Sequence, residues 1–289
     1  MTEKRSSRQL TKLKEIWRRF KKNKSAMIGL IILIVILVVA ILGPILIPYE
    51  KVVKQNAADR LQSPNMEHWF GTDAFGRDYF ARIVHAAPTS LFIGLSVSII
   101  GLIAGGAIGI TCAYFGGAYD EIMMRFIDIL SSIPGTLLSL VVVAVLGPNM
   151  RNMIIAMAIA RVRADTRISR SAALGTTSNE YVEAAIAGGS SHFRIILKHI
   201  VPNIMATLIV TTTLSVAGMI LHAAGLSFLG LGVQPPTPEW GSMLNEARQF
   251  MRGSSYLMII PGLAIMLSAL SINLIGDGLR DALDPKLKN

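Results

Sequence analysis

The chain is short of the features that mark soluble enzymes: charged side chains, cysteines, and catalytic or nucleotide-binding motifs. Charged residues make up 16% of its 289 positions, whereas a soluble domain carries roughly 25%. Cys112 is the one cysteine in the sequence. It has no partner for an intrachain disulfide and cannot build a thiolate metal cage, so we interpret it as a small core residue. Composition therefore excludes an ordinary soluble domain.

Motifs for ATP binding and hydrolysis are also missing. The dipeptide Gly-Lys never occurs, so the chain has no P-loop to hold a nucleotide, and the HExxH, CxxC and GxSxG patterns are absent. The histidines are scattered and give no support for a metal site: His68, His85, His192, His199 and His222. We assign no catalytic residue, metal ligand or cofactor to this chain, and a membrane-bound enzyme is the weakest hypothesis.

The sequence does contain long apolar runs. Hydrophobic residues make up 52% of it, and a helix needs about 20 apolar residues to cross a bilayer. The runs predict an all-α integral membrane protein with six transmembrane helices, at 26–48, 87–114, 124–147, 150–169, 199–222 and 256–276. The fourth is cut short by Arg161 and Arg163, which we expect to snorkel to the interface.

The distribution of lysine and arginine predicts the orientation. With the N-terminus inside, twenty of the 28 cations fall in cytoplasmic segments, as the positive-inside rule requires. Ten of them lie in the first 24 residues, beside a span. The net charge of +10 therefore indicates a membrane-surface and topology role rather than nucleic-acid binding. Both termini are predicted to be cytoplasmic.

This topology divides the chain into four regions. A basic cytoplasmic tail precedes the first span, and an extracytoplasmic loop follows that span. The core then holds five spans and a cytoplasmic loop at about 175–203, before a short C-terminal tail. The predicted boundaries are 1–25, 26–86, 87–280 and 281–289.

Several residues predict how the spans pack. Gly101, Gly105 and Gly109 recur every four residues, which places a glycine stripe on one helix face where a neighbouring backbone can approach. Pro134 should kink or break the third span. Asp128 follows Arg125 by three residues, and we expect a structural ion pair between them.

The spans lack the chain of buried carboxylates expected of a proton-coupled carrier, and inverted helix breaks are not obvious. Energy for uphill transport would therefore come from a partner. The rival hypothesis is a self-sufficient secondary carrier or channel.

The polar cytoplasmic loop from Glu183 to Asn203 is the place where such a partner could act. Residues 183–187 have high helix propensity, with an acid near the helix start. Gly188 and Gly189 should break that helix before a second short segment at 192–199. Composition leaves an ordinary loop helix and a docking helix–turn–helix equally open.

A resemblance favours docking. The residues Glu-Ala-Ala, a following glycine and His-Ile-Val-Pro-Asn are similar to the EAA motif of ABC importer permeases, which contacts the ATPase subunits. Val201 and Gly188 depart from the usual pattern. By this resemblance the coupling residues are Glu183, Ala184, Ala185, Gly188, Gly189, His192, Arg194, His199, Pro202 and Asn203.

Further segments resemble the C-type permease of the dipeptide, oligopeptide and nickel importers, over essentially the whole chain. They are residues 17–24, 68–78, 226–241 and 276–285. The resemblance implies a type I (MetI-like) fold, a B-type permease as partner, two ATPases that bind ATP and Mg²⁺, and an extracytoplasmic binding protein. It implies short peptides as substrates, with nickel or a chelate as the alternative.

Two outer segments could form a gate or contact the binding protein. In the first, Asp73, Arg77 and Asp78 should bond to one another and cap the following helix. In the second, prolines stiffen the turn before Trp240, which is placed like an interface anchor; a re-entrant packing element is the equal alternative. The candidate residues are Asp73, Arg77, Asp78, Gln234, Pro235, Pro236 and Trp240.

Overall fold

The computed structural model describes residues 14–283, and helices dominate that range. Residues 14–22 form α1. The other helices are α2 (Lys24–Leu46), α3 (Glu50–Val53), α4 (Tyr79–Phe115), α5 (Gly117–Ser131), α6 (Gly135–Leu146), α7 (Met150–Thr177), α8 (Glu180–Ala187), α9 (His192–Ile195), α10 (Val201–Phe228), α11 (Trp240–Ala247) and α12 (Tyr256–Leu283). The described part contains no strand beyond one isolated bridge between Thr72 and Asp78, so the all-α prediction is confirmed. Most of the predicted tails 1–25 and 281–289 lie outside it.

Four helices of the described range are long and apolar enough to cross a membrane: α2, the continuous helix His192–Phe228, α4 and α12. The bent pair of α5 and α6 makes a fifth if it is counted as one span. The fourth predicted span corresponds to α7, which is helical for 28 residues, well past position 169. Because α7 contains several arginines and an aspartate, it is less apolar than the four long helices named above.

Helix α4 begins eight residues before the predicted start at 87. Asp78 provides the N-cap, because its side chain accepts a hydrogen bond from the Ala81 N–H. The sequence pattern missed this turn because it contains Arg82 and His85, which look like loop residues. Both are accommodated: Arg82 is buried, and the His85 ring contacts the Ile47 carbonyl at 2.9 Å.

The third predicted span is broken at Pro134, as the sequence predicted. Helices α5 and α6 meet there at 80°. Arg163 of α7 satisfies carbonyls that the break leaves free, donating from Nη1 to Leu130 O at 2.7 Å and to Ile133 O at 2.5 Å. The Arg163 guanidinium therefore binds carbonyls at the break, where unpaired carbonyls would be costly, and its snorkelling to the interface stays a prediction.

The glycine stripe of α4 lies directly against α7. A Cβ at Gly105 would come within 2.6 Å of Val162 O, and one at Gly109 within 2.8 Å of Arg170 N. Gly101 faces Arg161 in the same way. Since the numbering rises together on both helices, α4 and α7 run parallel, and their backbones approach closely at the stripe.

The first and last apolar helices meet at one face of the molecule. Asn23 caps α2, and its Nδ2 also donates to Asp281 Oδ2 near the end of α12 at 3.0 Å. Ala26 lies against Gly278. The start of α2 and the end of α12 therefore share one side.

Candidate functional site

The polar segment predicted to couple to a partner forms two helices joined by a glycine turn. Helix α8 carries Glu183 in its first turn, where the helix dipole favours a negative charge. Gly189 has a φ of +72°, whereas Gly188 keeps a φ of −75°. Only Gly189 therefore needs the left-handed conformation that glycine adopts without cost.

The second helix of this segment is longer than the sequence predicted. Helix α9 passes through a π-helical turn at Ile196–Ile200 directly into α10. Pro202 lies directly after the π turn, which interrupts the regular i→i−4 hydrogen-bond pattern at the place where proline has no N–H to donate, and Asn203 Nδ2 donates to His199 O at 2.6 Å. The segment and the apolar helix are thus one continuous 37-residue helix.

Apolar contacts hold this segment against the ends of α4 and α7. Val182, Ile195 and Ile200 are buried in one cluster with residues of both helices. At the edge of the cluster His192 Nδ1 lies 2.8 Å from Tyr114 Oη. The two short helices are therefore packed against the helical body and have a defined orientation.

Large apolar side chains of the same segment point away from that cluster. Phe193 is 74% exposed and Ile186 is 51% exposed. Tyr181 and Leu197 are exposed as well, beside the small residues Ala184 and Ala187. We call these six residues the apolar ridge. Exposed apolar clusters of this kind mark contacts with another protein or with the membrane.

Replacing Gly189 by alanine should loosen the joint between α8 and α9. A Cβ meets no atom there, so the cost is conformational, about 1–2 kcal/mol for a left-handed residue. Hydrogen exchange across 180–200 should then speed up by roughly 5- to 30-fold. Asparagine tolerates this conformation better, so Gly189→Asn should lie between alanine and wild type. Equal protection in all three proteins would contradict the prediction.

At the opposite end of α4, four charged side chains form a buried network that ties together the loop before α4, α4 itself and α11. Asp73 Oδ2 accepts from Arg77 Nε and from Arg82 Nη1, both at 2.6 Å. Glu246 of α11 accepts from Arg77 Nη2 at 2.6 Å and from Arg82 Nη1 at 2.8 Å. Arg82 is 1% exposed. We call these four residues the charge clamp.

The predicted bonding among the three charged loop residues is only partly correct. Asp73 and Arg77 pair as expected. Asp78 does not join them: it caps α4, as predicted, and lies 2.9 Å from His68 Nδ1. Arg82 and Glu246 were missed. They are 164 positions apart. The one sequence signal that could have identified them is the presence of a charged residue next to an apolar run.

The segment 226–241 leads into α11, whose start is deeply buried. The Trp240 ring is 2% exposed, and its Nε1 donates to Ile83 O at 3.1 Å. The interpretation of Trp240 as an interface anchor is therefore wrong, and its environment is that of a packing element. Gln234 folds its amide back onto Gly230 O and Gly232 O, while Pro235 and Pro236 remain exposed.

Glu239 caps α11 from inside the protein. Its carboxylate accepts from the N–H groups of Gly241 and Ser242, both at 2.8 Å, and from the Ser90 hydroxyl at 3.2 Å. Burial raises the pKa of this carboxyl above its usual range, and the donors oppose that rise. The cap links α11 to α4 a second time, independently of the charge clamp.

A cavity of about 570 Å³ lies between α11, the start of α4 and the preceding loop. Arg82, Asp73 and Glu246 contribute to its wall, and Arg60 and Arg248 also line it. The clamp residues therefore stand between this cavity and the helix core.

Other charges on α7 correct further expectations. Asp128 pairs with Arg167 at 2.7 Å rather than with Arg125. Asp165 is a buried carboxylate that the sequence interpretation overlooked, and Arg161 neutralises it at 2.7 Å. The snorkelling of Arg161 to the interface stays a prediction. These ion pairs join helices or stabilise α7. Within residues 14–283, no group of three or more His, Cys, Asp or Glu side chains is arranged to hold a metal ion.

These features define a class: a helical membrane protein with a broken apolar helix, a packed two-helix segment at one face and a charge-clamped helix at the other. The family described as "Binding-protein-dependent transport system inner membrane component" matches residues 101–289, and the N-terminal transmembrane domain of oligopeptide transport permease C matches residues 11–64. The chain belongs to this family of inner membrane transport components.

Curated relatives match over almost their full length. A dipeptide transport system permease protein, DppC of Alkalihalophilus pseudofirmus, is 45% identical over 96% of this chain and 90% of its own. The di/tripeptide permease DppC of Pseudomonas aeruginosa is 43% identical over 96% and 93%. The glutathione transport permease GsiD of Escherichia coli is 42% identical over 95% and 90%.

Solved structures support the fold. The MetNI methionine ABC transporter in an inward-facing conformation aligns with a TM-score of 0.58 over 70% of this chain and 97% of the transporter chain, at 15% identity. The MetI-like permease fold expected from the sequence is therefore confirmed at the level of helix arrangement.

Proposed function

We propose that this chain is one permease subunit of an ATP-driven importer for di- and oligopeptides, and that the apolar ridge is its contact with an ATPase subunit. The single observation that carries the proposal is the exposure of Phe193 and Ile186 on a segment that is itself firmly packed. A ridge that is fixed in orientation can transmit a displacement, whereas a loose loop could not.

The proposal places the chain in the membrane with six crossings and both termini in the cytoplasm. The crossing that brings the number to six is α7, the fourth in chain order, whose charged residues after Arg151 are paired with neighbours or bonded to backbone carbonyls. The contact between the start of α2 and the end of α12 supports termini on one side. The positive-inside distribution assigns that side to the cytoplasm.

Energy enters through partners. Two ABC ATPases would bind ATP and Mg²⁺, so this chain needs no cofactor of its own and performs no catalysis. Their closure would move α8 and α9, and the continuous helix His192–Phe228 would carry that movement through the membrane. A B-type permease would supply the other half of the pathway.

Short peptides are the substrate class that the relatives favour, since the names of two of them state dipeptides or di- and tripeptides. Nickel or a metal chelate is the alternative from the family resemblance. An extracytoplasmic binding protein would deliver the solute near the charge clamp and the exposed prolines 235 and 236, at the face opposite the ridge.

The test is the substitution Phe193→Ala in the assembled complex. Because the ring is exposed, its removal should leave the fold of this chain intact. It should weaken association with the ATPase roughly 30-fold or more, the scale of a central aromatic hot spot. The measurements are co-purification of the ATPase and dipeptide uptake by proteoliposomes, with Met66→Ala as the control, since Met66 is an exposed apolar residue at the other face.

Full ATPase retention and uptake by Phe193→Ala would overturn the proposed ridge. Uptake by this chain alone, without ATPases, would instead support the secondary-carrier hypothesis. Nickel uptake without dipeptide uptake would leave the importer assignment intact and change only the solute.

A further inference from the structure

Helix α1, residues 14–22, presents a cluster of cations next to the start of the first apolar helix. Lys14, Arg18, Lys21 and Lys22 are exposed on it, and Lys24 is exposed at the first position of α2. We call these five residues the basic patch. It adjoins the start of an apolar helix, and lipid headgroups surround the ends of membrane-spanning helices.

The basic patch is fixed in place by packing. Phe20 is buried and forms a cluster with Ala26 of α2 and Ala282 of α12. A Cβ on Gly278 would lie 3.1 Å from the Phe20 ring, so α12 approaches α1 closely at this glycine. The patch therefore has a defined position against both the first and the last apolar helices.

The charge around the patch is positive after its acidic neighbours are counted. Glu15 on α1 and the residues Asp277 and Asp281 of α12 are nearby in the fold, and Arg280 adds a cation. Asp281 already accepts a hydrogen bond from Asn23. Among residues 14–283, no cation of the basic patch forms an ion pair with any of these acids.

An exposed aromatic ring lies in the same surface. Trp17 is 47% exposed and stacks on Phe20 with ring centroids 5.8 Å apart. The Lys21 Nζ lies 5.1 Å from its centroid. Tryptophan beside lysine and arginine on a short helix that adjoins a span is typical of an element lying at the headgroup level.

We propose that the basic patch binds the headgroups of anionic phospholipids, with the Trp17 ring at the headgroup level. Phosphodiester oxygens are strong acceptors for lysine and arginine, and the adjoining span holds the patch against the membrane surface. One headgroup site would then lie over α1 and the start of α2. The proposal concerns this chain alone and does not depend on the proposed transport function.

The test uses the full chain purified with bound lipid. Native mass spectrometry should show retained phosphatidylglycerol in excess of phosphatidylcholine from an equimolar mixture. The double substitution Lys21→Gln, Lys22→Gln should reduce that excess about tenfold or more, from the attraction of two cations near an anionic surface. The matched control is the double substitution Lys51→Gln, Lys54→Gln, because these two exposed lysines lie beyond the opposite end of α2. The control variant should retain the wild-type preference.

A second measurement keeps the proposal testable if the variant purifies poorly. Phosphatidylglycerol with brominated acyl chains should quench Trp17 fluorescence more than brominated phosphatidylcholine does, and Trp17→Phe should remove that difference. Equal quenching by both lipids would overturn the proposal. So would equal phosphatidylglycerol retention in the patch and control variants, displacement of lipid by inorganic phosphate alone, or loss of a partner protein from the patch variant without loss of lipid.

Discussion

Replacing Arg82 by methionine is expected to lower the stability of the protein by about 3–5 kcal/mol, the range for breaking a buried ion pair by removal of one partner. Arg82 bonds to both Asp73 and Glu246. Without it, two carboxylates share Arg77 alone, and one buried charge loses its compensation. The measurement is the melting temperature of the detergent-solubilised chain, read by intrinsic fluorescence together with loss of the monodisperse peak.

Arg60→Met is the matched control for this substitution. Arg60 lines the same cavity, yet it is exposed, and its replacement should change stability by no more than about 0.5 kcal/mol. If Arg82→Met melts like Arg60→Met, the charge clamp does not hold α11 to α4.

Two neighbouring glycines of α4 should respond to alanine with opposite signs. At Gly109 a Cβ would overlap Thr166 O and approach Arg170 N to 2.8 Å, and both atoms belong to a backbone that cannot rotate away. Gly109→Ala should therefore cost about 1–3 kcal/mol through overpacking and separate α4 from α7.

At Gly106 the nearest atom outside the helix turn is Ser169 Oγ, 3.7 Å from the added Cβ. Gly106→Ala should gain up to about 1 kcal/mol of helix propensity. Thermal melts of the two variants, prepared side by side, make the comparison. Destabilisation of the same size at both positions would show that the α4–α7 contact is looser than described.

The apolar helices were predictable because each needs only a local pattern. Runs of about 20 apolar residues specify a span, and the glycine repeat and Pro134 specify contact and breakage through their own backbone properties. The predicted helix boundaries were wrong where charged residues lie inside helices. Arg82 at the start of α4 and Arg163 in α7 resemble interface residues until their distant partners, Glu246 and the carbonyls of Leu130 and Ile133, are known.

The two-helix segment was also predictable in part. Helix propensity and the glycine pair located the end of α8 correctly, although α8 begins at Glu180 rather than near Glu183, and the second short helix was expected. Its continuation through a π turn into α10 was not. No single residue between His192 and Phe228 signals continuity, since Pro202 is typical of a helix start and ordinarily kinks or breaks a helix that continues through it. The prediction for the Trp240 ring was wrong for a different reason: the carbonyl that accepts its hydrogen bond lies on α4.

The continuous helix from His192 to Phe228 affects whether both faces of a pathway through the membrane could be open at the same time. At 1.5 Å per residue it measures about 55 Å, and at its far end the Phe228 carbonyl accepts a hydrogen bond from Asn245 of α11. A tilt of such a rod moves its two ends in opposite directions at once. The π turn at Ile196–Ile200 and Pro202 are places where a helix can bend, whereas the rest of α10 tilts as one unit. Simultaneous opening of both faces would therefore require α10 itself to bend, which works against a pore that is open at both faces at once.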